Sequence, residues 1–470
     1  MSVGIFASQY MNRMQMVSQD YLFERLGWAG STGKVNKCLP YSNEKAVFDL
    51  QRVGCWLYNA CPIVRSATEK FVSFVIGSGH GYNVAFREGL PPGGVTVDDT
   101  TLQQIRWSIQ WTMENCYPGG WLALQEETVR RWLREGEVFR RVFNTADGSR
   151  VRFVEPYTIR QAPGDDIPGI MGVISEPGDA ASVIGFWHNP KVETSSRRED
   201  FVELSSASVQ YLKYGVDAND PRGVGPFPMV LCSSDRIRTI SVAMNELALT
   251  QSSYAVVRQY DNVVTADEMR RIASGFRAAD EENGNQREFG KEVDAKGFKF
   301  EFPSMGIDPK NFIEIISQEI RFIAGVLDMP EFVLMSATGA GSRAGNVSAE
   351  GPFARRIARD QNKIGQMDVE LMWSSARSML GWSEEMYRNI RRAVRITPQF
   401  PVAYTRDILK DTQAVVLQVE NKLLSRQSGS EKLGNDWPTT LGEIREESAD
   451  DALVPDAGQT PDPTAGSTRG

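Results

Sequence analysis

Four cationic side chains in one short stretch are the residues of this sequence best suited to bind phosphate. They are Arg355, Arg356, Arg359 and Lys363. Guanidinium and ammonium groups hold phosphate oxygens without reading base identity. The same stretch, with carboxylates interspersed, is also typical of an ordinary solvated helix face. The residue types therefore permit a phosphate-binding surface and do not establish one.

Few residues of this sequence are suited to enzyme catalysis. The two histidines, His80 and His188, lie far apart in sequence, so neither a clustered zinc site nor a Ser-His-Asp triad is indicated. The glycine-rich stretch at 77–81 lacks the final glycine of a dinucleotide-binding loop and is typical of a turn after a helix, with glycines at positive φ. No G-x-x-x-x-G-K-[ST] motif occurs, so the chain is not an ATP-driven motor. We expect no cofactor and no metal.

The cationic residues are positioned by a helix that follows a loop. Phe353, Ile357, Ile364 and Leu371 form one apolar stripe, and Pro352 predicts a first turn near residue 348 or 351. The preceding residues, 336–347, are rich in Gly, Ala and Ser, with Arg343 as their one charge. Such a segment cannot bury itself, so we interpret it as a mobile functional loop.

Two amphipathic helical arms precede this loop and bracket an acidic insert at 260–304. The arms are predicted at roughly 234–259 and 309–327, with their apolar residues at helical spacing. Those residues are Ile240, Met244, Leu247 and Tyr254 in the first arm, and Phe312, Ile316, Ile320, Ile323 and Leu327 in the second. The pattern alone is also typical of a common helical hairpin with a surface insert.

The first half of the chain contains segments with helical periodicity and segments with the period of two that is typical of strands. Residues 44–76, 101–115 and 123–135 have helical patterns, whereas 136–214 alternates apolar and polar residues between turn residues. That alternation predicts an antiparallel sheet. The fold class predicted from these patterns is α+β, and residues 454–470 have a disordered composition.

Composition limits the function classes. The chain has 470 residues and a net charge of −8, which argues against a sequence-reading DNA binder. A conduit through which DNA must pass without sticking is compatible with that charge, and so is a solvated acidic enzyme surface. No run is long and apolar enough for a membrane helix. The five scattered cysteines are typical of free thiols in a reducing compartment.

Four blocks, in this order, resemble the portal proteins of tailed bacteriophages, in particular the lambda-like kind. The blocks are LYNACPIVRSATEKFVSFVIGSGHGYNV (57–84), WLREGEVFRRVF (132–143), IRFIAGVLDMPEFVLMSATGAGSRAGNVSAEGPFARRIARDQNKIG (320–365) and LLSRQSGSEKLGNDWPTTLGEIREE (423–447). The third block contains a turn closed by Pro330, a loop and a long helix, as the family's stem, channel loop and channel helix do.

The resemblance implies an architecture assembled as a ring. Its parts would be an N-terminal arm (1–43), a mixed wing (44–228), stem helix 1 (229–259), a small α/β clip (260–304), stem helix 2 (305–330), a channel loop (331–347), a long channel helix (348–382), a wing return (383–404), a helical crown (405–448) and a disordered tail (449–470).

The resemblance also implies sites and partners. The residues expected to face DNA in the channel are Arg343, Ser342, Asn346, Arg355, Arg356, Arg359, Glu314 and Arg321. Those expected to dock terminase or a head–tail adaptor at the clip are Glu281, Glu282, Glu288, Glu292 and Asp294.

The implied partners are copies of the chain in a ring, dodecameric in the family, and double-stranded DNA without sequence specificity. The terminase large subunit, the major capsid or scaffold protein and the head–tail adaptor are further partners, and no membrane is involved. The protein would act in the virion after assembly in the host cytoplasm, and it would not be an enzyme. The alternative is a soluble α+β enzyme of another family with a mobile active-site loop at 336–347.

Overall fold

The computed structural model describes residues 43–87, 97–164, 166–192, 197–260, 265, 267–268, 270–271, 274, 291–296, 309–335, 343–401, 408–426, 429–430, 440–441 and 444–445. These residues combine helices with small sheets, which confirms the mixed α and β class. The chain divides into two compact units. The first comprises residues up to 71, 127–143 and 151–353, and the second comprises 72–126, 144–150 and 354 onward.

The helices agree with the predicted helical stretches in the first half of the chain. They are α1 (Glu44–Ala60), α2 (Pro62–Ile76), α3 (Asp99–Asn115), α4 (Gly120–Glu135), α5 (Leu231–Ser253), α6 (Pro309–Val326), α7 (Glu331–Met335), α8 (Arg343–Leu380), α9 (Glu384–Ala393) and α10 (Ile408–Glu420). Polar side chains cap the starts of α1 and α3. Asn43 accepts a hydrogen bond from the Ala46 N–H at 2.9 Å, and Asp98 accepts one from the Thr101 N–H at 3.0 Å.

The strands pair mostly with neighbours in sequence. They are β1 (Gly81–Phe86), β2 (Glu137–Thr145), β3 (Gly148–Val154), β4 (Val173–Glu176), β5 (Asp179–His188), β6 (Val202–Ser205), β7 (Val209–Lys213), β8 (Tyr254–Tyr260), β9 (Lys291–Lys296) and β10 (Val394–Gln399). The sheet orders are β3-β2-β7, β4-β5-β6, β1-β10 and β8-β9. The pairs β2–β7, β4–β5 and β5–β6 are antiparallel, which confirms the sheet predicted for 136–214.

Three aromatic rings join the two antiparallel sheets of the first unit. Phe139 stacks on Tyr211 with ring centroids 4.5 Å apart, and Phe186 lies edge-on to both rings at 5.3 Å. Both phenylalanines are buried. Aromatic pairs in these arrangements are favourable beyond the area they bury, so this cluster is a centre of the first unit's core.

A fully buried ion pair lies beside those rings. Arg222 donates through Nε to both carboxylate oxygens of Glu137 at 3.0 Å, and neither side chain has any exposed surface. Gln51 and Tyr211 donate to the same carboxylate at 2.6 and 2.9 Å. We call these four residues the Arg222 cluster. The guanidinium also donates to three backbone carbonyls, those of Pro156, Ile159 and Met171.

The second unit is built around β1, β10 and most of α8. The antiparallel pairing places Val84 opposite Ile396, and both side chains are buried. Gly148, in the turn between β2 and β3, has φ +110, and a Cβ there would lie 2.2 Å from the Trp111 ring. Glycine is therefore required at that turn both for its backbone conformation and for the space.

The glycines after α2 form the turn predicted from the sequence. Gly77 and Gly79 have φ of +55 and +104, values that favour glycine. His80 follows as a buried residue, with Nε2 2.9 Å from the Val75 carbonyl oxygen and its ring edge-on to Phe400. This histidine has a structural position in the core of the second unit.

Candidate functional site

Helices α5 and α6 pack against each other and form what we call the helical arm. Ile320 and Ile323 of α6 are buried, as is Leu327 just after the helix, whereas Phe312 and Ile316 are half-buried. The predicted stripe is therefore confirmed, and it becomes more exposed away from the end of the helix at Val326. On α5, the predicted positions Ile240, Met244 and Leu247 are half-buried.

The predicted extent of the first arm is wrong at its far end. The helix ends at Ser253, and Tyr254 begins strand β8 rather than the last helical turn. The segment Tyr254–Tyr260 contains two valines and two tyrosines. Such residues favour the extended conformation, and here the strand has β9 as its partner.

The outer faces of the helical arm expose large apolar side chains. Val242 and Leu249 on α5 are 48% and 67% exposed, and Ile313 and Ile315 on α6 are 54% and 45% exposed. Scattered single exposed apolar residues are normal at a protein surface. With Phe322 of α6, which is 53% exposed, five such side chains lie on one hairpin in addition to the stripe between its helices. Together they indicate a surface that a further partner covers.

An ion pair links the two helices of the arm. Arg236 of α5 donates to Glu319 of α6 at 2.8 Å, and the Glu319 side chain is 6% exposed. Burial by itself raises the pKa of Glu319, but hydrogen bonds from Arg236 and Ser233 outweigh it and lower that pKa below its usual value. The carboxylate therefore stays ionised and fixes the pairing of the helices.

Two residues expected to face a channel lie on the exposed side of α6. Glu314 is exposed, and Arg321 is exposed and donates to Glu331 of α7 at 2.8 Å. Both positions are compatible with a solvent-facing role. Their contact with DNA stays a prediction.

The helix after the loop begins earlier than predicted. Helix α8 starts at Arg343, so Pro352 lies inside it rather than in its first turn. Proline has no N–H, and one hydrogen bond within the helix is consequently missing there. Arg343 and Asn346, expected in the loop, belong to the first turns of α8, whereas Ser342 lies outside the described residues.

The predicted apolar stripe of α8 is confirmed, because Phe353, Ile357, Ile364 and Leu371 are all 0% exposed. The expectation that the nearby cations share an exposed face is wrong for one of them. Arg355 and Arg359 are exposed, but Arg356 is only 7% exposed. In this conformation Arg356 contacts its own helix and cannot reach a phosphate in solvent.

A buried carboxylate explains the position of Arg356. Asp360 is 1% exposed, and three cations lie near its oxygens: Arg356 at 3.6 Å, Arg359 at 3.5 Å and Lys363 at 3.6 Å. We call these four residues the Asp360 cluster. Its net charge is positive, and the Arg359 and Lys363 side chains are 64% and 44% exposed. The cluster therefore presents two cations to solvent on a helix.

The residues expected at the clip fall partly within the structure. Glu281, Glu282 and Glu288 lie outside the described residues. Glu292 and Asp294 belong to β9, which pairs in parallel with β8, opposite Val256 and Arg258. A parallel two-stranded sheet between α5 and α6 is consistent with a small α/β insert, and the docking role stays a prediction.

Sequence reasoning missed a lysine that anchors the segment before α8. Lys70 of α2 donates to the carbonyls of Val333 and Leu334 at 2.9 and 2.6 Å, and these carbonyls belong to the last residues of α7. A cation at a helix C-terminus satisfies carbonyls that have no partner within the helix. The neighbouring Phe71 lies edge-on to Phe353 of α8. The contacts span more than 260 residues, so no local signal could have revealed them.

His188 ends β5 half-buried, and burial together with Arg141 lowers its pKa. No group of three or more His, Cys, Asp or Glu residues among the described ones could hold a metal ion. Within the same residues, no helix has the length and apolarity needed to span a bilayer.

No protein-family model matches the chain, and no curated protein matches it. Among solved structures, the chain is similar to one from the neck of an empty gene transfer agent particle computed with C6 symmetry. The TM-score is 0.49 at 13% sequence identity, and the match covers 83% of this chain and 93% of that chain. A chain from the virion of the native gene transfer agent particle gives TM-score 0.45 and 14% identity, over 83% and 93%.

An HK97 family phage portal protein from Corynebacterium diphtheriae gives TM-score 0.28 and 14% identity, over 73% of this chain and 92% of that chain. All these TM-scores are below 0.5.

Proposed function

We propose that this chain is the subunit of a portal ring at one vertex of a phage-like capsid. The ring would nucleate head assembly, dock terminase while DNA is packaged, and later connect head to tail and conduct DNA during ejection. The order of the four sequence blocks supports this proposal, and so does the arrangement of a two-helix arm, a small inserted sheet and a long helix.

The apolar outer faces of the helical arm carry the proposal. The stripe at Ile320 and Ile323 is already covered within the chain, so it needs no further partner. Leu249, Ile313 and Ile315, in contrast, are 45–67% exposed. Identical copies arranged head to tail in a ring would cover these side chains by pairing different faces of neighbouring arms.

The cations of α8 support passage of DNA rather than recognition of its sequence. In a ring, Arg355, Arg359 and Lys363 would each recur once per subunit and form belts of positive charge. Such belts hold phosphates without contacting base edges. Because the chain as a whole carries a net charge of −8, the belts would be narrow and DNA would pass without tight binding.

The insert supports a docking role by its position and charge. In the chain it follows α5 and precedes α6, so it connects the ends of these helices that are remote from the Arg236–Glu319 pair. Its carboxylates at 281, 282, 288, 292 and 294 would attract a basic surface, and such charges act mainly on encounter rate and specificity. Terminase during packaging, and an adaptor afterwards, are the partners that this site would serve.

Assembly can be tested without disturbing the fold. We predict that the purified chain forms rings in negative-stain images and that Leu249→Ser combined with Ile313→Ser shifts it to monomers by light scattering. Both positions are exposed, so circular-dichroism melting should change little. Ile170→Ser, at a residue 64% exposed outside the arm, is the matched control and should leave rings intact.

Two results would contradict the proposal. A globular monomer or dimer in place of rings in the unmodified protein would favour the enzyme alternative. Rings that persist in the Leu249→Ser, Ile313→Ser variant would show that the arm does not form the contact between subunits.

A further inference from the structure

A groove in the second unit lies between the start of α3 and the face of α9. Its volume is about 360 Å³, and Val97, Met386 and Ile390 give it apolar walls. Met386 is 47% exposed. Carboxylates of Asp98 and Glu385 also line it. The groove therefore combines an apolar surface, which suits a hydrocarbon chain, with negative charge, which suits a cation.

The two carboxylates differ in the hydrogen bonds that they make within the chain. Asp98 caps α3 and accepts from the Thr101 N–H at 3.0 Å. Glu385 is exposed, and within the described residues it takes part in no hydrogen bond or ion pair. The adjacent Glu384 is held by Arg377 at 2.6 Å and by Arg388 at 2.9 Å. Glu385 is thus the carboxylate that remains available to a guest.

A basic surface lies at the other end of α9, where the chain continues into β10. Arg392 and Arg395 are exposed, and no hydrogen bond or ion pair joins either side chain to another described residue. Arg391, in contrast, is bonded to Glu370 and Tyr387. Positions 385 and 392 are seven residues apart, which is about 10 Å along a helix. Only residues three or four apart are neighbours on a helix, so Arg392 cannot neutralise Glu385 of its own chain.

We propose that this groove receives Arg392 of a neighbouring copy of the same chain. This inference rests on the proposed ring. The methylene groups of the arginine would lie on Met386 and Ile390, and its guanidinium would pair with Glu385. Long cationic side chains commonly bury their stems and keep their charge near the surface. Arg395 of the same copy would stay at the rim and contribute long-range attraction.

The opposite signs of the two surfaces allow a contact between different surfaces of neighbouring copies, which is the kind of contact that the proposed ring requires. A negative groove on one copy and a basic surface on the next make a heterologous contact, and such contacts repeat head to tail until a ring closes. The second unit therefore adds its own contact between subunits, apart from that of the helical arm.

The test reverses each charge separately and then combines the two. Glu385→Arg and Arg392→Glu each place like charges at every contact, and we expect either one alone to raise the protein concentration for half-maximal ring formation by about tenfold. The double variant restores opposite charges in swapped positions and should assemble nearly as the unmodified protein does. Glu176→Arg, at an exposed residue of β4, is the control for charge reversal elsewhere.

Mixing the two single variants gives a second measurement. Every contact in an alternating ring of Glu385→Arg and Arg392→Glu copies joins opposite charges, so the mixture should form rings where neither component does. Thermal unfolding of each variant checks that the fold is intact. The readout is light scattering at low and at high salt, and high salt should reduce the differences.

The outcomes separate this inference from the proposed function. If the unmodified chain forms rings and the single reversals assemble as the control does, the groove is not a subunit contact, although the portal proposal stands. Failure of both the double variant and the mixture to recover would also overturn the inference. If the unmodified chain forms no ring, both proposals fail.

Discussion

The Arg222 cluster and the Asp360 cluster each bury an arginine beside a carboxylate, but the buried groups differ in the hydrogen bonds that they make. Arg222 is held by Glu137 and by three backbone carbonyls, all within 3.0 Å. Around Asp360 the cations stay 3.5–3.6 Å away, and among the described residues neither buried oxygen of Asp360 accepts a hydrogen bond. The Arg222 cluster is a closed network, in which the buried charges are hydrogen-bonded. The Asp360 cluster is an open network, held by attraction between charges that make no hydrogen bond to its carboxylate.

The difference indicates different purposes. A buried pair repays the loss of hydration only when its remaining donors and acceptors are bonded, and the Arg222 cluster meets that condition. It joins β2, α1, β7 and the two turns that contain Pro156–Ile159 and Met171, so it organises the sheets of the first unit. The Asp360 cluster leaves Arg359 and Lys363 partly in solvent with surplus positive charge, which is compatible with the proposed passage of DNA.

The largest effect is expected when the closed network is broken. Arg222→Met would leave Glu137 buried without its cation, and loss of one partner of a buried pair costs about 3–5 kcal/mol. We expect that decrease in the free energy of unfolding, measured by chemical denaturation. Arg150→Met, at an exposed arginine, should change it by less than about 0.5 kcal/mol. A loss below about 1 kcal/mol for Arg222→Met would mean that the network is not what organises this unit.

A smaller effect is expected from the open network. Asp360→Asn keeps the shape of the side chain and removes its charge, so that Arg356, Arg359 and Lys363 repel one another. Because no short hydrogen bond is lost and two of the cations are hydrated, we expect a decrease of about 1–2 kcal/mol. The decrease should diminish with added salt. A loss equal to that of Arg222→Met would contradict the contrast between the two clusters.

The smallest effect is expected at a half-exposed pair, Glu69 and Arg130, whose side chains are 40% and 26% exposed. Hydrogen bonds from Arg130 lower the pKa of Glu69 below its ordinary value of 4.5, against the opposing effect of burial. A lowered pKa in the folded state adds stability above pH 4.5, and this stability is lost as the pH falls through the folded-state pKa.

Glu69→Gln should therefore cost roughly 0.5–1 kcal/mol at neutral pH, because water screens the pair. The difference from the unmodified protein should vanish in acid. Denaturation curves measured across that pH range would check this. A difference that grows as the pH falls would have the wrong sign and would exclude Glu69 as a contributor to stability.

Local patterns predicted much of the fold. The alternation over 136–214 gave antiparallel strands because residues two apart lie on one face of a strand. The stripe at Phe353, Ile357, Ile364 and Leu371 is entirely buried, because helical spacing places such residues on one side. Glycines after α2 also adopted the positive φ that the motif predicted.

The same local rules failed where distant partners intervene. Pro352 suggested a helix start, yet α8 begins at Arg343 and continues through the proline. Tyr254 matched a helical stripe, but a strand partner in β9 was available. Arg356 matched an exposed cationic face, and only the burial of Asp360 reveals that it turns inward.

The sequence by itself determined the periodicities, the charge balance and the order of the four blocks that suggested a portal, because each follows from the type and order of the residues and needs no knowledge of which distant residues meet. Only the tertiary structure decided which charged side chains are hydrogen-bonded in a buried network and which stay partly exposed to solvent. Arg222 meets Glu137 across 85 positions, and Lys70 meets the end of α7 across 263. Pairing over such distances depends on how whole elements pack, and no local pattern encodes it.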